Sequence, residues 1–226
     1  VAETSEEYMD RYFAGDEFSE NEIRQVLHTN VCEGSMVPIS MASATMAKGI
    51  YTLLDDIVKY LPSPEKKECK AINIKSNEVY DADFNFAKAK SAYVFKTIVD
   101  PFIGKYSLIK VTSGVIKTDD VLYNEEHGMD DKIGKVYVLR GNKPEEVQEL
   151  HAGDIGALAK LGKVQTTDTL STKATPLTFI KTAVSHPYTY MSYKPVNKGD
   201  VDKVSQALQK MMQEDLTLKV VNDSEN

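Results

Sequence analysis

The residues Asn197-Lys198-Gly199-Asp200 spell a pattern that can read a guanine base. In such a site the Asp carboxylate accepts from the base's N1 and N2 hydrogens, while Lys and Asn support the ring. A short motif of this kind counts only in its structural context. It should follow a buried strand and precede a serine-alanine loop, yet the candidate loop, Ser43-Ala44, lies far upstream. The residues are therefore read as a helix start, with Gly199 permitting the turn and Asp200 capping. No G-x-x-x-x-G-K-[ST] run occurs in the sequence. Without the amides and lysine of that loop, the β- and γ-phosphates of a nucleotide have no cradle. The chain alone is expected neither to hold GTP tightly nor to hydrolyse it.

Other chemistry is sparse. His28, His127, His151 and His186 are scattered, none at i,i+4 spacing beside a second metal ligand, so they read as solvated or packed side chains. Glu125-Glu126, Asp130-Asp131 and Glu145-Glu146 fall in turn-rich segments and read as solvated faces, not acid–base pairs. No Ser, Cys or Thr stands in a nucleophile motif. Cys32 and Cys69 form no CxxC and read as reduced thiols. No catalytic residue and no metal site is assigned. The net charge of −7 argues against a dedicated nucleic-acid binder. Residues 1–60 hold 11 acidic against 4 basic side chains, so the rest is close to neutral and leaves room for a local basic face.

These residues need elements to position them. Thr4 with Glu7 and Ser19 with Glu22 have capping-box spacing. The apolar sets Tyr8, Met9, Tyr12, Phe13 and Ile23, Val26, Leu27 mark the faces of two helices, the first ended by Gly15. Val37–Ser40 is short and β-prone, and a small-residue loop follows over 42–49. A third helix runs from Ile50 until Pro62 and Pro64 stop it. Residues 65–83 are polar and Lys-rich and read as a linker. Beyond them, β-prone runs over 91–99, 106–114, 120–124, 135–141 and 155–161 alternate with turn signals at Gly104, Gly114, Asn124, Gly128, Gly141-Asn142 and Gly153. Short strands without helices between them predict a small closed barrel or sandwich. Residues 178–195 read as one or two strands, 200–215 as an amphipathic helix and 216–221 as a closing strand. No apolar run approaches the ~18 residues of a membrane helix. The polar opening VAETSEEYMD lacks an initiator Met and reads as cut from a longer chain.

Three colinear stretches carry a family resemblance. Residues 95–105 (FKTIVDPFIGK), 111–120 (VTSGVIKTDD) and 131–161 are similar to domain II of elongation factor G. Residues 166–172 (TTDTLST) are similar to that domain's exit, without the usual Gly before Asp168. Upstream, 37–64 resembles the end of the family's GTPase domain, where a Gly-Ser-Ala loop touches guanine and Leu-Pro-Ser-Pro closes the domain. Downstream, 194–215 resembles the first strand and helix of domain III, with Leu216 in place of the usual Pro. In the guanine loop Ala42 stands where Gly is typical, and Thr45-Met46-Ala47 replace Phe-Lys-Asn, which points to a divergent paralogue.

The resemblance implies a multi-domain α/β plus β architecture. Its parts are the C-terminal piece of a GTPase domain (1–64), a linker (65–83), a translation-factor β-barrel (84–172) and the start of a partial ferredoxin-like α+β domain III (173–226). It implies a cytoplasmic parent that binds GTP with Mg2+, works on the ribosome and ribosomal RNA, and contacts neither membrane nor DNA. It places Ser43 and Ala44 at guanine, and Lys110, Lys117, Lys132, Lys135 and Arg140 on an RNA-facing barrel. The alternatives are a non-catalytic RNA- or protein-binding barrel and a ribosome-protection or release-type factor of the same superfamily.

Overall fold

The computed structural model describes residues 1–66, 68–100, 104–141 and 143–221. They fall into two compact units, Val1–Lys67 and Glu68–Asn226.

The first unit is helical: α1 (Glu6–Ala14), α2 (Glu20–Glu33) and α3 (Ile50–Tyr60). Ser19 and Glu22 form the expected capping box, each covering the other's amide. The α1 cap differs from expectation by one residue. Ser5, not Thr4, accepts the Tyr8 amide, because the Thr4 hydroxyl already donates to the Val1 carbonyl in the preceding turn. Gly15 ends α1 in the left-handed conformation. Arg11 ties α1 to the start of α2 through a 2.7 Å bond to Glu22, with its guanidinium 5.2 Å from the Phe18 ring. Val26 is the one buried apolar side chain among the described residues of this unit. Val37–Ser40 is not a strand. Extended backbone needs a neighbour for its amides and carbonyls, and no described strand of this unit offers one.

The second unit opens with β1 (Lys70–Asn73) and β2 (Glu78–Asp81), an antiparallel hairpin in the stretch read as a linker. Ala71 is buried and Ile72 half-exposed, an alternation too short to register amid the lysines. Then follow β3 (Ser91–Asp100), β4 (Gly104–Ser113), β5 (Val115–Lys117), β6 (Val121–Asn124), β7 (Met129–Lys132), β8 (Val136–Arg140), β9 (Lys143–Val147), β10 (Glu149–His151), β11 (Ile155–Ala159), β12 (Thr169–Ser171) and β13 (Leu177–Phe179). β13 joins β1 in a small sheet over Ala71, Ala82, Leu177 and Phe179.

Eight strands form one antiparallel sheet in the order β7-β6-β12-β3-β4-β11-β8-β9, and β5 pairs with β10. The turn after β5 closes the curl. Thr118 N–H reaches the Gln148 carbonyl, while Asp119 and Asp120 exchange bonds with Ile133 beyond β7. Inside the resulting barrel lie Val94, Ile109, Val111, Ile116, Leu122, Ile133, Val136, Leu158, Val164 and Leu170, all fully buried. Each such side chain contributes about 1.5–3 kcal/mol relative to exposure. Gly114 is indispensable at one corner: its φ is +72°, and an added Cβ would lie 2.8 Å from the Lys90 Cα. No helix forms among the described residues of 91–112, as the barrel reading requires. The Asp-Pro-Phe turn at 100–102 and the Asn142 turn position fall partly outside the described residues.

α4 (Val201–Glu214) forms where the apolar spacing predicts it. Beyond Phe179, residues 180–195 pair with nothing regular, and neither does 216–221. The strands expected there do not form, and no described strand pairs with either stretch.

Candidate functional site

The serine-alanine loop is a tight reversal. Ser43 and Lys48 bridge through both backbone bonds, N to O at 2.9 Å and 3.2 Å, leaving 44–47 as the tip. The Ser43 hydroxyl accepts from the Met46 amide at 3.4 Å, and Ala47 is left-handed with φ 52°. Gly49 follows at φ 73° as the N-cap of α3, where a Cβ would sit 2.9 Å from the Met41 carbonyl oxygen. Among the described residues, no backbone or side-chain acceptor engages the exposed Ala44 amide. The loop therefore leaves the exposed Ala44 and Thr45 amides without a protein partner, beside a Ser43 hydroxyl that is already engaged.

The five candidate RNA-facing cations do not form one patch. Lys117 pairs with Glu149 at 2.7 Å and Lys132 with Asp119 at 3.0 Å. Both stand around the Thr118–Asp120 turn, where Asp120 also takes Lys90 at 2.6 Å and the Lys117 amide. The Glu149 carboxylate holds the Lys117 ammonium above its ordinary pKa. Lys135 and Arg140 bracket β8, bound to Glu146 at 2.7 Å and Glu145 at 3.2 Å. Lys110 lies over the Phe84 ring at 4.9 Å. Exposed pairs of this kind are worth about 0–1 kcal/mol and exchange readily for another anion.

The Asn197–Asp200 motif is occupied by itself. Asp200 accepts from Asn197 Nδ2 at 3.1 Å and Lys203 Nζ at 3.0 Å, and these bonds, the Asn197 one first, hold its pKa below the usual range. Asp200 is the N-cap of α4 by position but makes no side-chain capping bond, and Gly199 sits in a short 3-10 turn without a left-handed φ.

Sequence reasoning missed a buried polar cluster at one end of the barrel. Asp168 is 4% exposed and accepts from Asn124 Nδ2 and the Gln165 amide, both at 2.8 Å, with His127 Nε2 at 3.2 Å. Asp131, read as solvated, is 8% exposed with an unpartnered Oδ2, and burial pushes its carboxyl pKa up. Burial also lowers the pKa of Lys105, whose ammonium donates to the Val164 carbonyl. Glu126 accepts the Thr169 amide. The available signal was the strand phase: Asp131 occupies the inward position of Met129–Lys132. Glu145 and Glu146 stand exposed on β9, as expected. Among the described residues no group of three or more His, Cys, Asp and Glu is placed to hold a metal, and no helix is long and apolar enough to cross a membrane.

The antiparallel barrel and the amphipathic helix that follows it fit a β-rich translation-factor architecture, a class carried by two family matches. Residues 89–173 match the family described as Elongation factor G domain 2, and residues 184–226 match Elongation Factor G, domain III. A crystal structure of a protein from Thermus thermophilus superposes with a TM-score of 0.75 at 25% identity, over 99% of this chain and 31% of that one. The chain belongs to the elongation factor G-like translation factors and spans about a third of the solved structure it matches.

Proposed function

We propose that this chain is the relay portion of a ribosome-associated translational GTPase. In this reading, the loop at Ser43-Ala44 contacts guanine, and the barrel passes the nucleotide-dependent change to domain III and the ribosome. The observation that carries the reading is order along one chain. A loop with an exposed, unbonded Ala44 amide precedes a domain II match, and a domain III match follows.

GTP hydrolysis and its Mg2+ are assigned to the longer parent, because these 226 residues hold no phosphate loop. The bounds proposed for the GTPase piece, the barrel and domain III are 1–64, 84–172 and 173–226, with the β1–β2 hairpin leading into the barrel. Thr45-Met46-Ala47 in the guanine loop marks a divergent paralogue. Lys117 and Lys132 are the cations assigned to ribosomal RNA, because both stand at one turn and their carboxylate partners are exposed (Asp119) or half-buried (Glu149). Lys110, Lys135 and Arg140 extend that assignment over other faces of the barrel.

The test is phosphate release by the full-length protein with and without ribosomes. The reading requires GTP hydrolysis that ribosomes accelerate at least tenfold. A protein that binds RNA with no GTP hydrolysis under either condition would be a stand-alone binding barrel, and the proposal would fail.

A further inference from the structure

β3, one of the two longest strands of the barrel, has an uncovered stretch of edge. β12 lies beside only Ser91–Tyr93 of β3, and the chain before β12 follows β3 a little further through Val94 and the Thr97–Thr166 hydroxyl contact at 2.9 Å. Beyond that point no described strand flanks the outer side of β3. An open edge of this kind presents unpaired amides, which proteins cover or blunt with charge. Here the cover is Glu214, the last residue of α4: its Oε1 accepts the Val99 amide at 2.6 Å.

The position of Glu214 is otherwise unfavourable. A carboxylate in the final turn of a helix opposes the macrodipole, which favours cations there. α4 carries no basic residue in its last turn. A local helix preference therefore does not explain a glutamate at 214, whereas a charge-assisted bond to a strand amide does. Met212 and Gln213 of the same helix turn line a cleft of about 290 Å3 together with Lys105 and Gln165. Contact with the barrel is thus partly open, and the Glu214 bond is the directional element in it.

We infer that Glu214 is a clasp that couples α4 to the barrel by capping the strandless edge of β3 at Val99. The clasp makes the helix and the β3–β4 hairpin move as one body, and its release frees both the helix and the edge. The inference rests on geometry within this unit and does not depend on the ribosomal reading.

Residue-resolved amide hydrogen exchange on the whole chain tests it. In the wild type, the Val99 amide should be protected although no described strand flanks the side of β3 away from β4 there. In Glu214→Lys, Val99 exchange should rise at least tenfold and the α4 amides should speed up with it, while Ile109 and Val111 in β4 keep their wild-type rates. Glu214→Gln, which keeps a side-chain oxygen acceptor, should fall between the two. Unchanged Val99 exchange in Glu214→Lys would overturn the clasp. So would equal acceleration of Val99, Ile109 and Val111, which would mean that the substitution loosens the barrel as a whole.

Discussion

The helical unit and the barrel use apolar residues in opposite ways. In the barrel, side chains from most strands meet in one sealed interior, from Val94 on β3 to Leu170 on β12. In the helical unit the stripes are equally regular, yet Val58 on α3 is 83% exposed, and among the described residues of the unit Val26 is the one buried apolar side chain. Periodicity reports which face of an element is apolar. It does not report whether anything lies against that face, because burial depends on partners outside the element. The barrel supplies its own partners through strand pairing and closure. The stability and the functional reading of this chain therefore sit in different places: the barrel carries the packing, and the exposed loop and surface cations carry the candidate contacts.

The sharpest way to break this comparison is to truncate equivalent side chains in the two units. Leu158→Ala removes a fully buried barrel side chain and should cost about 2–5 kcal/mol. Val58→Ala on α3 should stay within about 0.5 kcal/mol, as exposed substitutions do. Urea denaturation followed by circular dichroism reads both. Similar costs at the two positions would show that α3 is buried in the folded protein and that the contrast is wrong.

A smaller effect separates the units by its sign with pH. Glu22 receives bonds from Arg11 and from Ser19, and these bring its pKa down to about 2. A carboxyl lowered in the fold contributes stability above its unfolded pKa and loses it as pH falls toward the folded value. Asp131 is the reverse case, because burial raises its folded pKa. Its contribution is fully present below the unfolded pKa and is lost as pH rises through the folded one. Between pH 7 and pH 3, acidification should therefore weaken the Glu22 contribution in the helical unit and strengthen that of Asp131 in the barrel. Comparing Glu22→Gln and Asp131→Asn with wild type, by thermal melts across that range, checks both signs. Each substitution should flatten its own unit's pH slope. If Asp131→Asn leaves the barrel's slope unchanged, the carboxyl is not desolvated in solution.

Some of this was legible in the sequence. Ser19 and Glu22 gave the start of α2 because both partners of a capping box are local. The glycines at 104, 114, 128, 141 and 153 marked barrel turns, and each takes a positive φ. The strands β3, β4 and β8 stood out by their β-branched and aromatic content. The β1–β2 hairpin and the polar strands β7 and β9 did not, because their pairing comes from the neighbouring strand and not from their own side chains. Val37–Ser40 and residues 216–221 failed in the other direction: they have strand composition, but no described strand pairs with them. At the candidate site, Ser43-Ala44 was legible as a loop of small residues. The ion pairs on Lys117, Lys132, Lys135 and Arg140 were not, since Glu149, Asp119, Glu146 and Glu145 reach them through tertiary pairing or across turns. The Asp131–Asp168 cluster escaped because paired acids in a turn-rich run look solvated until the strand phase is known.

The claim that these surface cations, and not the barrel's interior, make the ribosomal contact has one direct test. Lys117 and Lys132 should be reversed to Glu together in the full-length protein, and GTP hydrolysis measured with and without ribosomes. Each lost phosphate contact also removes counterion release, so the effect should depend steeply on salt. The account predicts that ribosome-stimulated hydrolysis falls, that the intrinsic rate stays at its wild-type value, and that the gap to wild type narrows as salt is added, because the variant has fewer salt-sensitive contacts to lose. Full stimulation of the double variant at near-physiological salt would contradict it.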